Sequence, residues 1–184
     1  MWVKGWPSDA NQSLLSKNDF DPGSMGNLMT WLDASEPKYL TTTDGTASPP
    51  SNDDTFAVWF DKSGKGYHAV ANRNLGDRRP KYFSAGLNSK PTIRFDGSND
   101  VMKISGSETA FDQWDEMSIF IVFQGRDIGR NDQIINKGWN LRHKRSGGYR
   151  GYFDIYGTSG SDSTSYTLSL NQWNSPHIIN LLYG

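Results

Sequence analysis

Apolar residues in this chain come in short runs, and turn-forming residues interrupt each run before it reaches the length of an ordinary helix. "TFAVWFD", "YHAVA" and "EMSIFIVFQG" are bounded by Gly, Pro, Asn, Asp or Ser and enriched in aromatic and β-branched residues. That pattern predicts strands. In "TFAVWFD", Phe56, Val58 and Phe60 alternate with Ala57 and Trp59, so both faces of the strand are largely apolar and it belongs in an interior. Composition agrees: aromatics make up 13% of the chain, with seven Trp and 19 Gly, a balance that favours strands and turns over helices.

Read in order, "LMTWLDA" has the pattern of a buried strand, and "SEPKYLTTTDGTASPPSNDD" has the chemistry of a long surface loop. "KPTIRFDGSNDVMKISG" reads as a hairpin turning at "DGSND", and "EMSIFIVFQG", the most apolar run, as a central strand. Further strands are expected at Gln133 to Asn136, Asn140 to Lys144, Tyr149 to Tyr156, Tyr166 to Leu170 and His177 to Tyr183. Strands at spacings of roughly ten to fifteen residues, with turn signals between them, describe an all-β fold, a two-sheet antiparallel jelly-roll sandwich. Residues 1–20 are polar and without period and read as a tail or linker, leaving residues 21–184 as one domain. Asn11 opens an Asn-Gln-Ser glycosylation acceptor, a pattern too common to carry weight.

Several chemistries can be weighed from residue types alone. The chain has no cysteine, which rules out disulfides and thiolate metal sites. No stretch approaches the roughly 18 apolar residues of a membrane span. The formal net charge of −1 conceals an asymmetry, because residues 1–61 hold nine acids against Lys4, Lys17 and Lys38, and the remainder is basic. Such polarity can orient a protein toward an anionic partner.

The stretch "VWFDKSGKGYHAV" contains an acid, Asp61, a hydroxyl, Ser63, and an imidazole, His68. A nucleophile relay needs the imidazole within reach of the hydroxyl and the acid behind the imidazole, and no strained elbow or oxyanion donor accompanies these three. The simpler reading is a turn in which Asp61 caps backbone N–H groups, Ser63 assists it, and Gly64 and Gly66 supply positive φ. Glycoside hydrolysis needs two carboxylates about 5–5.5 Å apart in the retaining mechanism. The three Glu of the chain, Glu36, Glu108 and Glu116, have no Asp two residues on followed by another Glu, and "FDIYG" carries the single acid Asp154. No catalytic residue is assigned. The histidines, His68, His143 and His177, lack zinc spacing.

Sequence motifs point to a family. "FDPGSMGNLMTWLDASEP", "VWFDKSGKGYHAV", "RRPKYF" and "KPTIRFDGSNDVMKI" resemble, in order and spacing over Phe20 to Ile104, the laminin-G-like (LamG) branch of the concanavalin A-like lectin/glucanase superfamily. The resemblance implies a jelly-roll module of an extracellular protein or a phage particle, working by recognition or adhesion. Such domains often hold a structural calcium; Asp96 and Asp100 are the candidates for it, with turn stabilisation the preferred role, and no other cofactor is expected. Family members continue for several strands beyond the one resembling "SPHIINLLYG", so the domain is expected to lack its last strands or to borrow them from a neighbouring subunit through the C-terminal edge.

A ligand site is expected in "KGWNLRHKRSGGYRGYFDIY", where Trp139, Arg142, His143, Lys144, Arg145 and Tyr149 interleave aromatics with cations. Sugars bind to aromatic faces and polar forks, and sulfated or carboxylated glycans add a demand for positive charge. Single-stranded nucleic acid makes similar demands, but an acidic or sulfated glycan is the preferred partner. The competing reading is a solvated hairpin whose aromatics pack inward. Three functions remain: a non-catalytic glycan-binding or adhesion module, a purely structural virion or fibre decoration subunit, and, least favoured, a glycoside hydrolase.

Overall fold

The computed structural model describes residues 21–42, 49–71, 78–106, 110, 117–125, 132–136, 140–145, 150–156, 163–169 and 177–183. Their regular structure is β, with antiparallel pairing throughout. Two 3-10 turns, Pro22–Ser24 and Pro37–Tyr39, precede the first strand. Each begins on a Pro, whose fixed φ and missing N–H suit a first helical position. The expected tail, residues 1–20, lies outside the described residues.

Four short strands form the first sheet: β1 (Leu40–Thr41), β2 (Val58–Trp59), β3 (Ala69–Ala71) and β6 (Met102–Ile104), in the order β1-β2-β3-β6. A hairpin of β4 (Lys81–Leu87) and β5 (Lys90–Arg94) comes between β3 and β6 in sequence. Later in the chain, β7 (Met117–Phe123) pairs with β12 (His177–Tyr183). A second four-stranded sheet joins β8 (Asp132–Asn136), β9 (Asn140–Arg145), β10 (Arg150–Tyr156) and β11 (Ser163–Ser169) in the order β11-β10-β9-β8.

The core lies where the first sheet meets the β4–β5 hairpin. Leu40, Phe56 and Tyr82 are buried together, and Trp59, Ile93 and Met102 pack around them. Phe56 and Ala57 are fully buried and Val58 nearly so, which bears out the interior position expected for this run. Backbone bonds sew the hairpin to the sheet: Phe56 N–H donates to the Pro80 carbonyl at 3.2 Å, and Tyr82 N–H to the Asp54 carbonyl at 2.9 Å.

Four expectations need correction. "LMTWLDA" forms no ladder; its backbone groups are satisfied instead by the loop after β2, with Lys62 N–H donating to the Trp31 carbonyl at 2.9 Å. The supposed long loop after Ser35 contains β1, where Leu40 and Thr41 are 1% and 5% exposed; two buried residues give too short a run for periodicity to detect. "DGSND" does not close a hairpin: β5 pairs back onto β4, whereas β6 crosses to β3. The actual hairpin turns at Asn88 and Ser89, at φ 47° and 58°, the two left-handed central residues of a type I′ turn. Finally, β7 is a strand but not a central one among the described strands, since its sheet there is the pair β12-β7, and Phe120 and Val122 are 65% and 67% exposed. Ser118, Phe120 and Val122 form its exposed face, and Ile119, Ile121 and Phe123 its half-buried one.

Candidate functional site

The segment from Asp61 to His68 links β2 to β3, and its bonding is that of a turn. Asp61 is 7% exposed. Its Oδ1 accepts from Trp31 N–H at 2.8 Å and Ser63 N–H at 2.9 Å, and its Oδ2 from Tyr67 N–H at 3.2 Å and Ser63 Oγ–H at 2.7 Å. Burial pushes this carboxyl up, but the Ser63 hydroxyl and the three backbone N–H groups outweigh it and hold the acid below its usual value. The Ser63 hydroxyl faces acceptors, Asp61 Oδ2 and the Met29 carbonyl at 3.1 Å. His68 turns elsewhere, with its Nδ1 accepting the backbone N–H of Asp61 at 3.0 Å and its ring edge-on to Phe60. The imidazole lone pair that a relay would use is thus occupied by main chain, and the acid bonds the serine directly. Gly64 and Gly66 sit at φ 82° and 81°, where a side chain would strain the turn. These residues build a bend.

Beside that bend lies a cluster that local sequence patterns do not reveal. The Lys62 ammonium donates to Asp33 Oδ2 at 2.8 Å and to Glu36 Oε1, and lies 4.0 Å from the Trp31 ring centroid and 5.2 Å from that of Tyr39. Its side chain is 8% exposed. Burial presses Lys62 downward, yet the bonds and charges of Asp33 and Glu36 carry it above its ordinary value. Burial likewise presses Asp33 upward, and hydrogen bonds from Lys62 and Ser35 with the Lys62 charge bring it below. Glu36 is lowered by its bond to Lys38 and then by Lys62. The partners are 29 and 26 residues apart, so no spacing rule announces them.

Asp96 and Asp100 act as turn stabilisers in "DGSND". Asp96 Oδ1 accepts from the N–H groups of Ser98 at 2.6 Å, Asn99 at 3.1 Å and Asp100 at 3.3 Å, and Asp100 Oδ2 accepts from Asp96 N–H at 2.7 Å. Among the described residues no group of three or more His, Asp or Glu is placed to hold a metal ion.

Of the expected ligand residues, Arg142, His143, Lys144 and Arg145 all fall on β9, whereas Trp139 and Tyr149 lie outside the described residues. Strand alternation divides the four. Arg142 pairs with Asp154 and Lys144 with Tyr152, on one face of the sheet. His143 pairs with Phe153 and Arg145 with Gly151, on the other. Across β10, Tyr152 and Asp154 are opposite Thr167 and Ser165, while Phe153 and Gly151 are opposite Tyr166 and Leu168. One face therefore collects Gln133, Arg142, Lys144, Tyr152, Asp154 and Tyr156; the other collects Leu141, Phe153, Ile155, Tyr166 and Leu168 together with His143 and Arg145. The expected ligand residues on β9 are thus divided between the two faces by strand alternation, with Arg142 and Lys144 on one and His143 and Arg145 on the other.

Among the described residues no helix is long and apolar enough to cross a membrane. Compared with protein-family models, with curated proteins and with solved structures, the chain has no match.

Proposed function

We propose that the chain is a non-catalytic recognition module of the laminin-G-like kind, with its sheets stacked as a jelly-roll sandwich, that binds an acidic or sulfated glycan at an extracellular or virion surface. The observation that supports this most directly is the register of β9 on β10, which gathers Arg142, Lys144, Tyr152 and Tyr156 on one face of a four-stranded sheet. Cations there supply charge-assisted bonds to sulfate or carboxylate, and tyrosines supply flat apolar surface for sugar rings. The opposite face, rich in Phe, Ile and Leu, is the one that a stacked second sheet would cover.

Chromatography on immobilised dextran sulfate tests the reading. Replacing Arg142 and Lys144 together by Ala should weaken retention by about tenfold, the effect of losing charged hydrogen bonds, with the circular dichroism spectrum unchanged. Replacing His143 and Arg145 together should change retention far less. Equal retention of the wild type and the Arg142/Lys144 variant would remove the glycan site.

A purely structural virion or fibre subunit is the second reading, favoured by one observation. Ile178 pairs with Val122 in register, next to Phe120, and this strip on β7 and β12 is 65–76% exposed. An apolar strip of this kind suits contact with another copy of the chain. Sedimentation velocity decides: a monomer at all concentrations would count against the subunit.

A further inference from the structure

Carboxylates make three of the contacts that attach the segment from Leu28 to Tyr39 to the bend between β2 and β3. Asp61 takes the Trp31 N–H at one point, and Asp33 and Glu36 hold Lys62 at another. Other ties include the Lys62 N–H to the Trp31 carbonyl, the Ser63 hydroxyl to Met29, the Thr30 hydroxyl to the Tyr67 carbonyl, and the Phe60 N–H to the Tyr39 carbonyl. The first sheet is held differently, by backbone ladders and by a core of Leu40, Phe56 and Tyr82. Asp33, Glu36 and Asp61, each held below its ordinary value, all sit at this one joint.

We propose that residues 28–39 form an acid-released strap, which leaves the bend between β2 and β3 when the joint's carboxylates take up protons, while the sheet beneath stays folded. Protonated, Asp33 and Glu36 no longer balance the Lys62 ammonium, which is shielded from water between two rings, and a buried cation without a counter-charge is driven back toward solvent. Protonated Asp61 loses the charge that draws three backbone N–H groups onto it. Other charged or titratable residues at the joint are Lys38 on Glu36, Tyr39, whose ring lies beside Lys62, Tyr67, whose N–H reaches Asp61, and His68, whose Nδ1 accepts the Asp61 N–H.

The sign follows from linkage. Folded-state values of the three acids lie below their ordinary 3.8 for Asp and 4.5 for Glu, so the stabilisation is complete above those values and drains away as pH falls through and beneath them. Release would leave Trp31 and Tyr39 exposed to water.

Residue-resolved amide exchange between pH 7 and pH 3, corrected for intrinsic rates, tests the strap. Protection at Trp31, Lys62 and Tyr67 should drop by about tenfold or more below about pH 4, while Ala57 and Ala71, bonded within the first sheet, keep theirs. An Asp33→Asn/Glu36→Gln variant, which mimics the protonated acids, should show the weakened Trp31 and Lys62 amides already at pH 7. Simultaneous loss at the joint and in the sheet would overturn the proposal, as would undiminished protection at pH 3. So would a transition in the histidine range, above about pH 5.5, or wild-type protection in the double variant.

Discussion

Asp61 shows how much one side chain can organise. Four donors from three residues, Trp31, Ser63 and Tyr67, converge on its two oxygens. Asp61→Asn keeps the size but replaces one accepting oxygen with an NH2 that faces N–H and O–H groups. It should lower stability by about 2–3 kcal/mol, the scale of a buried group left unsatisfied, read as a shifted midpoint in urea unfolding. Gly86 is a second position where one atom matters: a Cβ there would stand 1.9 Å from Thr92 Oγ1 and 3.3 Å from Phe83 Cβ. The ladder shifts register between Phe83 and Leu87, so the glycine lies where the backbone of β4 bulges toward β5. The bond inventory of Asp61 was legible in part, because Asp-x-Ser followed by two glycines is turn chemistry. Its reach back to Trp31 was not, since a contact over 30 residues leaves no mark on local pattern.

Elements were legible where an apolar run or strict alternation marked them. Strands of five or more residues in the second half, β8 to β12, fall where alternation predicted them. β1, at two residues, is specified by what it packs against, whereas β2, equally short, lies inside the apolar run "TFAVWFD" that marks it. The β4–β5 hairpin escaped notice because its turn is Asn-Ser, not Asn-Gly, with Ser89 held at φ 58°. A left-handed serine costs about 1 kcal/mol relative to glycine. Ser89→Gly should therefore stabilise the protein by about that much, seen as a higher thermal midpoint; an unchanged or lower midpoint would mean that the turn is not the strained element described. Alternation within β9 also decides which cations share a face, and a list of basic residues cannot show that without a strand to place them on.

At the scale of the molecule, Phe56 joins parts of the chain that are otherwise separate units of pairing. It lies against Leu40 of β1 and Tyr82 of β4, edge-on to Trp59 of β2 at 6.5 Å between ring centroids. Phe56→Ala should cost about 3–5 kcal/mol, the usual price of an emptied aromatic core site, and amide protection in β2–β3 and in β4–β5 should fall together. Loss in one pair alone would show that they do not share a core. What the sequence determined by itself was the kind of structure: short apolar runs cut by turn residues cannot make long helices and instead pair as strands. Strand partners, the acids that meet Lys62 and the division of the cations between two faces were decided only by the tertiary structure. Each depends on contacts between distant residues, whose energies are set by burial and register and not by neighbours in the chain.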